Sequence, residues 1–260
     1  MSYEDKIAFF DGIAEKWDTW EDLDEQAKKL DVGLRNLDIK GDEQILDVGC
    51  GTGNLTAALL RALSPQGRVV AVDISPAMVA KAKEKIQDPR VAWHVTSVED
   101  LPLPDASLHR VMCFSVWPHV DCPRLALREI RRVLRPAGIL HVWHIDSRAT
   151  INEIHATAGE AVRRDVLQPA HKTAVLLEMS GFKPLKVIDD DSQYLITAAK
   201  APARQKPTMK LPPVSLDDSD EGEGEGEGEG EGGGGGGKRD GGKRDGGEGG
   251  GGEGVGGDAY

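Results

Sequence analysis

Gly49, Gly51 and Gly53 stand two residues apart in the run Ile45-Leu46-Asp47-Val48-Gly49-Cys50-Gly51-Thr52-Gly53-Asn54. An apolar run delivers the chain to these glycines and helix-forming residues follow at once. The three positions therefore read as a strand-to-helix turn that can adopt positive φ and let a ligand approach its backbone N–H groups. A negative group bound there also meets the positive end of the helix. A second apolar run, Val69-Val70-Ala71-Val72, ends in Asp73. Its carboxylate is expected at the tip of the neighbouring strand, where it can accept hydrogen bonds from both hydroxyls of a ribose. An adenosine-type ligand fits this pairing. The plainer reading is a tight turn and an acid that caps the next helix through Ser75-Pro76. The spacing GxGxG differs from the dinucleotide fingerprint GxGxxG, which speaks against a nicotinamide-dependent oxidoreductase.

A regular alternation positions these residues. The runs Gln44–Val48, Arg68–Val72, Val91–Thr96, Arg110–Phe114 and Ile139–Ile145 are short and rich in Val and Ile, as strands buried on both faces of a parallel sheet are. Helical stretches lie between them at Asn54–Leu63, Ala77–Ile86 and Arg124–Leu134, the last stopping before Pro136 and Gly138. Two further helical stretches, near Thr150–Val166 and Pro169–Met179, precede the closely spaced runs Leu185–Asp189 and Gln193–Ala198, which can pair only as an antiparallel hairpin. The expected fold is α/β: a Rossmann-like, seven-stranded, mostly parallel sheet with helices on both faces and a C-terminal antiparallel hairpin. Ahead of it, Ile7, Phe10, Ile13 and Trp17 recur at helical spacing, and a second helix is expected over about Leu23–Leu37.

Together, Ile45–Thr56, Asp73, the run Glu99-Asp100-Leu101-Pro102-Leu103-Pro104-Asp105-Ala106-Ser107 and the run Ala126-Leu127-Arg128-Glu129-Ile130-Arg131-Arg132-Val133-Leu134-Arg135-Pro136-Ala137-Gly138 resemble the class I methyltransferases. The likeness is greatest to the small-molecule group that includes ubiquinone and menaquinone biosynthesis methyltransferases. It covers about residues 7–147, with 181–200 as the terminal hairpin. The resemblance implies S-adenosyl-L-methionine as cofactor. It also implies that Asp47, Gly49, Gly51 and Gly53 hold its methionine end and Asp73 its ribose, with Ile74 packing on adenine. Val98 and Glu99 would lie along the adenine edge, and Phe114 and Ser115 would line the floor near the methionine group. Phe10–Asp18 resembles the family's entrance segment, with Trp17 where a tyrosine is usual. Ser97 stands where many relatives carry an acid, which shifts the adenine amino contact to Glu99 or to solvent. The implied activity is methyl transfer to a small-molecule acceptor, quinone-like or otherwise aromatic. A non-catalytic S-adenosylmethionine-binding sensor or partner subunit is the alternative.

A sulfonium methyl is already activated, so a transferase needs mainly to align nucleophile, methyl and sulfur; alignment alone supplies about 7–11 kcal/mol. A base adds about 10²–10⁴-fold where the acceptor carries a proton. His119 and His144, near the ends of the fourth and fifth strands, are the candidate catalytic residues; each also has a plain reading as a cap or packing residue. His155 is a weaker candidate. A metal site from His144, His155 and Asp146 is conceivable, but no metal is expected. Trp17, Trp117 and Trp143 suit either an aromatic acceptor or the core, and Cys50 reads as a small apolar filler.

Composition bounds the rest. Residues 215–260 hold 14 Asp and Glu against 4 Lys and Arg and carry 22 of the 32 glycines, so the overall charge of −12 leaves only −2 for the remainder. Three domains are expected: an N-terminal helical entrance or lid segment over 1–40, a methyltransferase domain over 41–200 and a disordered acidic tail over 201–260. The near-neutral front part lacks the basic excess of a nucleic-acid binder. With no apolar stretch approaching the ~20 residues of a span and no CxxC spacing among Cys50, Cys113 and Cys122, a soluble, reducing, cytoplasmic setting is expected, without membrane or nucleic-acid partners. The oligomeric state is left open.

Overall fold

Apolar β-branched runs alternate with segments of helical period from residue 44 onward, and the chain folds accordingly. The structure is a computed structural model that describes residues 3–20 and 22–202. The acidic stretch thus lies outside the described residues from 203 on. Among the described residues seven strands are formed: β1 (Gln44–Val48), β2 (Arg68–Asp73), β3 (Val91–Val95), β4 (Leu108–Phe114), β5 (Leu134–His144), β6 (Phe182–Asp189) and β7 (Tyr194–Lys200). They make one sheet in the order β3-β2-β1-β4-β5-β7-β6. β1 pairs in parallel with β2 and β4, β2 with β3 and β4 with β5, whereas β7 runs antiparallel between β5 and β6. Because the chain moves from β1 to one side and returns on the other at β4, a crevice opens beyond the carboxyl ends of these two strands. Open α/β sheets bind ligands at such a point.

Helices α1 (Tyr3–Ile13), α2 (Leu23–Asn36), α3 (Asn54–Ala62), α4 (Pro76–Lys85), α5 (Pro123–Val133), α6 (Arg148–Ala158) and α7 (Ala170–Met179) accompany the strands, with 3₁₀ turns at Trp17–Thr19 and Trp117–His119. Strand side chains alternate between the two faces. Ile45, Met112, Trp143 and Leu195 pack with Leu30 and Leu34 of α2 and Leu55 and Leu59 of α3. Their neighbours Leu46, Val111, Val142 and Ile196 pack on the other face with Leu127 and Ile130 of α5 and Leu177 of α7. Cys50, Ala71 and Val79 form a smaller cluster against α4, which gives Cys50 the filler role its size suggested. Among the described residues, no helix is long and apolar enough to cross a membrane.

The sequence expectations differ from the structure in three places. The first helix stops at Ile13, so Trp17 sits on a 3₁₀ turn and not on the helical stripe. Strand β5 begins at Leu134, which pairs with Leu108 before a register shift carries the chain past Pro136. Helix α6 ends at Ala158 because Gly159 takes φ +136°, which turns the chain back on itself.

At the edge opposite the crevice, Arg110 donates from Nε and Nη2 to the two carboxylate oxygens of Glu43 at 2.7 and 2.9 Å. Both residues are buried. Burial and then the neighbouring guanidinium push His141 down to about 3, so it stays neutral and adds no second buried cation beside Arg110. Glu43→Ala is expected to cost about 3–5 kcal/mol, since it strands a buried cation. A thermal melt showing Tm unchanged would contradict this.

Candidate functional site

The bend between β1 and α3 is built on positive φ: +66° at Gly49, +52° at Gly51 and +89° at Gly53. Each glycine has a different reason to lack a side chain. A Cβ at Gly49 would come within 2.3 Å of Val116 Cγ2, and one at Gly53 within 2.8 Å of Ile86 Cδ1. At Gly51 a Cβ would meet only Trp17 Nε1, at 3.9 Å, because that position faces the crevice. Gly51 N donates to Asp73 Oδ2 at 2.8 Å, so the glycine bend and the carboxylate ending β2 converge on one place. Asp73 Oδ1 accepts from Ser75 N at 2.9 Å, and Ser75 Oγ caps α4 by accepting from Met78 N at 3.1 Å. The helix-capping reading and the ligand reading of Asp73 are therefore compatible. Each of its oxygens keeps a lone pair for a further donor. Burial raises the Asp73 carboxyl, and its bonds from the Ser75 and Gly51 backbone oppose that rise.

The cleft bounded by these groups holds about 780 Å³ of space, part of it open to solvent. Its walls include Gly49 and Gly51 from the bend, Asp73 and Ile74 from the end of β2, and Val98 and Glu99 from the loop after β3. Ser115 and His119, after β4, line it too, and Trp17 covers it from the N-terminal segment. Ser115 holds φ +51°, an uncommon conformation for a residue with a side chain, where the chain turns out of the sheet. Glu99 Oε1 accepts from Cys122 N at 2.6 Å, which commits that oxygen to the segment leading into α5.

The remaining expected residues lie outside the lining. Asp47 is buried behind the bend and accepts from Thr56 Oγ1 at 2.6 Å; burial pushes its carboxyl up to about 7. Gly53 faces Ile86 and Ala82 of α4. Phe114 packs on Trp143, ring centroids 5.1 Å apart, on the α2–α3 side of the sheet. His144 is 1% exposed, makes an edge contact with Tyr194 at 5.7 Å and finds no hydrogen-bond partner for either ring nitrogen. Burial, and secondarily His119 and His155, lower it to about 3. It is a neutral packing residue and does not reach the cleft, contrary to its expected role as a base. Trp117 and Trp143 are likewise core residues. Among the described residues, no three or more His, Cys, Asp or Glu side chains are arranged to hold a metal ion.

The N-terminal segment is fastened over the crevice by three groups. Asp11 Oδ1 accepts from Ser75 Oγ at 2.5 Å and from Ala77 N at 3.0 Å. Asp18 Oδ1 accepts from Thr52 Oγ1 at 2.6 Å, and its Oδ2 from Lys85 Nζ at 2.8 Å. The third, Lys6, is buried and donates to the His119 carbonyl at 2.9 Å and to Asp121 at 2.6 Å. Sequence reading missed Lys6, although a lysine one turn before Phe10 on a partly apolar helix was a visible signal. It also missed Asp165, whose Oδ2 lies 2.8 Å from His119 Nδ1 and which carries no signal of its own.

The glycine bend, the carboxylate that ends β2 and the crevice between them lie together at the switch point of the sheet, where open α/β folds bind ligands. A methyltransferase-domain family model matches residues 46–142. The 2-phytyl-1,4-naphtoquinone methyltransferase of Trichormus variabilis is 31% identical over 164 residues, which cover 60% of this chain and 67% of that protein. The malonyl-[acyl-carrier protein] O-methyltransferase of Hahella chejuensis is 37% identical over 123 residues, covering 47% and 44%. Among solved structures, a SAM-dependent methyltransferase from Aquifex aeolicus aligns with TM-score 0.56 and 21% identity over 70% of this chain and 100% of that one, a likeness of fold. The chain belongs to the class I S-adenosylmethionine-dependent methyltransferase family. It spans about half the length of the curated relatives it matches first.

Proposed function

We propose that this chain transfers the methyl group of S-adenosyl-L-methionine to a small-molecule acceptor, quinone-like or otherwise aromatic and hydroxylated. The observation that carries the reading is the 2.8 Å bond from Gly51 N to Asp73 Oδ2 at the mouth of the cleft. In this reading Gly49 and Gly51 approach the methionine end of the cofactor, and Asp73 accepts from the ribose hydroxyls. Ile74, Val98 and Glu99 flank the adenine, and Ser115 forms the floor. Asp47 and Gly53 support the bend from behind. The cofactor supplies a sulfonium-activated methyl; the chain's own part is to align the acceptor and exclude water. Residues 1–40 serve as the entrance cover and 41–200 as the catalytic domain. Of the relatives, one is named for 2-phytyl-1,4-naphtoquinone, which supports the quinone-like reading, and another for malonyl-[acyl-carrier protein].

Two measurements test the proposal. Calorimetry should show binding of S-adenosylmethionine and S-adenosylhomocysteine but not of NAD, and S-adenosylhomocysteine should accumulate with members of a phenol, catechol and hydroquinone panel. Tight binding without product across that panel would assign a sensor or partner subunit instead. Asp73→Ala should weaken cofactor binding by about 1–3 kcal/mol, as charge-assisted ribose bonds are lost. Parent-like affinity in that variant would displace the site.

A further inference from the structure

We propose that Asp165 positions His119 as the proton acceptor for a hydroxyl-bearing acceptor, so that the transferase acts on phenolic or enolic oxygen. This rests on the methyltransferase reading above.

The geometry is that of a base and its orienter. His119 stands on the 3₁₀ turn after β4 and lines the cleft shared with Gly51 and Asp73. Its Nδ1 shares a hydrogen with Asp165 Oδ2 at 2.8 Å, and both side chains are 13% exposed. In the neutral imidazole a carboxylate partner puts the proton on Nδ1, so that Nε2 is the ring's acceptor atom. Asp165 is kept ionised for the task. Burial opposes its charge, but the hydrogen bond from His119 and the nearby Lys6 ammonium hold its carboxyl below the usual value. Lys6 Nζ lies 3.4 Å from its other oxygen.

The surroundings also hold the ring in place. Phe10 of α1 meets it edge-on at 5.3 Å, and His155 of α6 lies 4.6 Å away. His155 Nδ1 donates to the Asp165 carbonyl at 2.6 Å, and burial followed by the neighbouring His119 lowers its pKa. The other charged groups that face His119 are Lys6 and Asp121, joined at its carbonyl, and Asp73 across the cleft.

The step balances without further reagents. As the acceptor oxygen forms its bond to the methyl carbon, the O–H bond breaks and its proton goes to Nε2. The methyl–sulfur electron pair stays on sulfur, leaving neutral S-adenosylhomocysteine. The resulting imidazolium faces the Asp165 carboxylate, which stabilises it, and the proton later leaves to solvent. An acceptor already ionised in solution has no proton to give, so it gains nothing from this pair.

The full-length protein and its Asp165→Asn and His119→Gln variants provide the test, with thermal melts to establish that each folds. Nitrogen-15 spectra of the histidines, recorded without acceptor, should show the His119 proton on Nδ1 in the parent and redistributed toward Nε2 in Asp165→Asn. With catechol as acceptor, kcat should fall about 100-fold or more in either variant, the scale of general-base assistance. With pentafluorophenol, ionised at neutral pH, it should fall by less than about 5-fold, because base assistance has nothing to act on. An unchanged tautomer in Asp165→Asn overturns the proposal, and so does an equal loss with both acceptors. A parent that binds S-adenosylmethionine but methylates no hydroxyl in the panel overturns it as well. If the parent fails to bind S-adenosylmethionine, the methyltransferase reading falls instead, and the spectra still decide whether Asp165 sets the His119 tautomer.

Discussion

Gly51→Val is expected to weaken S-adenosylmethionine binding by about 100-fold or more while the protein still folds. A tenfold change in affinity corresponds to about 1.4 kcal/mol, so the expected loss is roughly 3 kcal/mol. The reason lies in the direction of the missing side chain. A Cβ at position 51 points into the cleft and meets only Trp17 Nε1 at 3.9 Å, so an isopropyl group there fills ligand space and not protein space. It also holds the ligand away from backbone N–H groups that only a bare chain can present. The folding cost is confined to a branched residue at φ +52°, about 1–3 kcal/mol. In a domain of this size that lowers Tm by roughly 2–12 °C.

Gly49→Val, two residues away, should reverse the balance. Its Cβ would lie 2.3 Å from Val116 Cγ2 and 2.7 Å from Val116 Cβ, inside packed protein. Overpacking of about 1–3 kcal/mol adds there to similar backbone strain. Melting curves and calorimetry on the two variants separate the cases: a folded, non-binding Gly51→Val and a destabilised Gly49→Val. Parent-like affinity in Gly51→Val would mean that the cofactor does not pass over the bend.

The parts of this molecule that follow from local rules could be read from its residues. Strand runs were recognisable from β-branched apolar stretches, and the convergence of the bend on Asp73 follows from placing two parallel strands side by side. What could not be read depends on which face a side chain takes at a strand end. Phe114 and Ser115 were both expected on the floor. The chain leaves the sheet between them, so Phe114 turns to Trp143 and Ser115, at φ +51°, turns to the cleft. His144 fell to the same ambiguity of parity. Asp165 was hidden for another reason. The helical pattern through 150–166 gives no sign that Gly159 reverses the chain, and that reversal brings an acid from beyond α6 against His119. Long-range closure of this kind leaves no periodic trace in sequence.

Asp47→Asn should stabilise the protein at neutral pH while weakening its hold on the cofactor. Burial lifts the Asp47 carboxyl from the ordinary value of 3.8 to about 7, with the nearby Asp73 charge adding to the rise. The folded state therefore holds this proton more tightly than the unfolded chain does. The associated stability is fully present below the unfolded value near 4 and is lost as pH rises through about 7. At about 1.4 kcal/mol per unit the loss reaches on the order of 4 kcal/mol above neutrality. Asparagine keeps an acceptor for Thr56 Oγ1 and removes the titration, so the Tm difference between variant and parent should be small near pH 4.5 and widen steadily to pH 7.5. A flat difference, or a variant less stable at pH 7.5, would contradict the assignment of this proton. A cation bound over the bend favours the ionised carboxylate behind it, so cofactor binding near pH 6.5 should release a proton from the parent and not from Asp47→Asn. Calorimetry in buffers of different ionisation enthalpy measures that difference directly. Stability given up at residue 47 then reappears as selectivity for a positively charged ligand, which is the form a trade between folding and function takes at a buried charge.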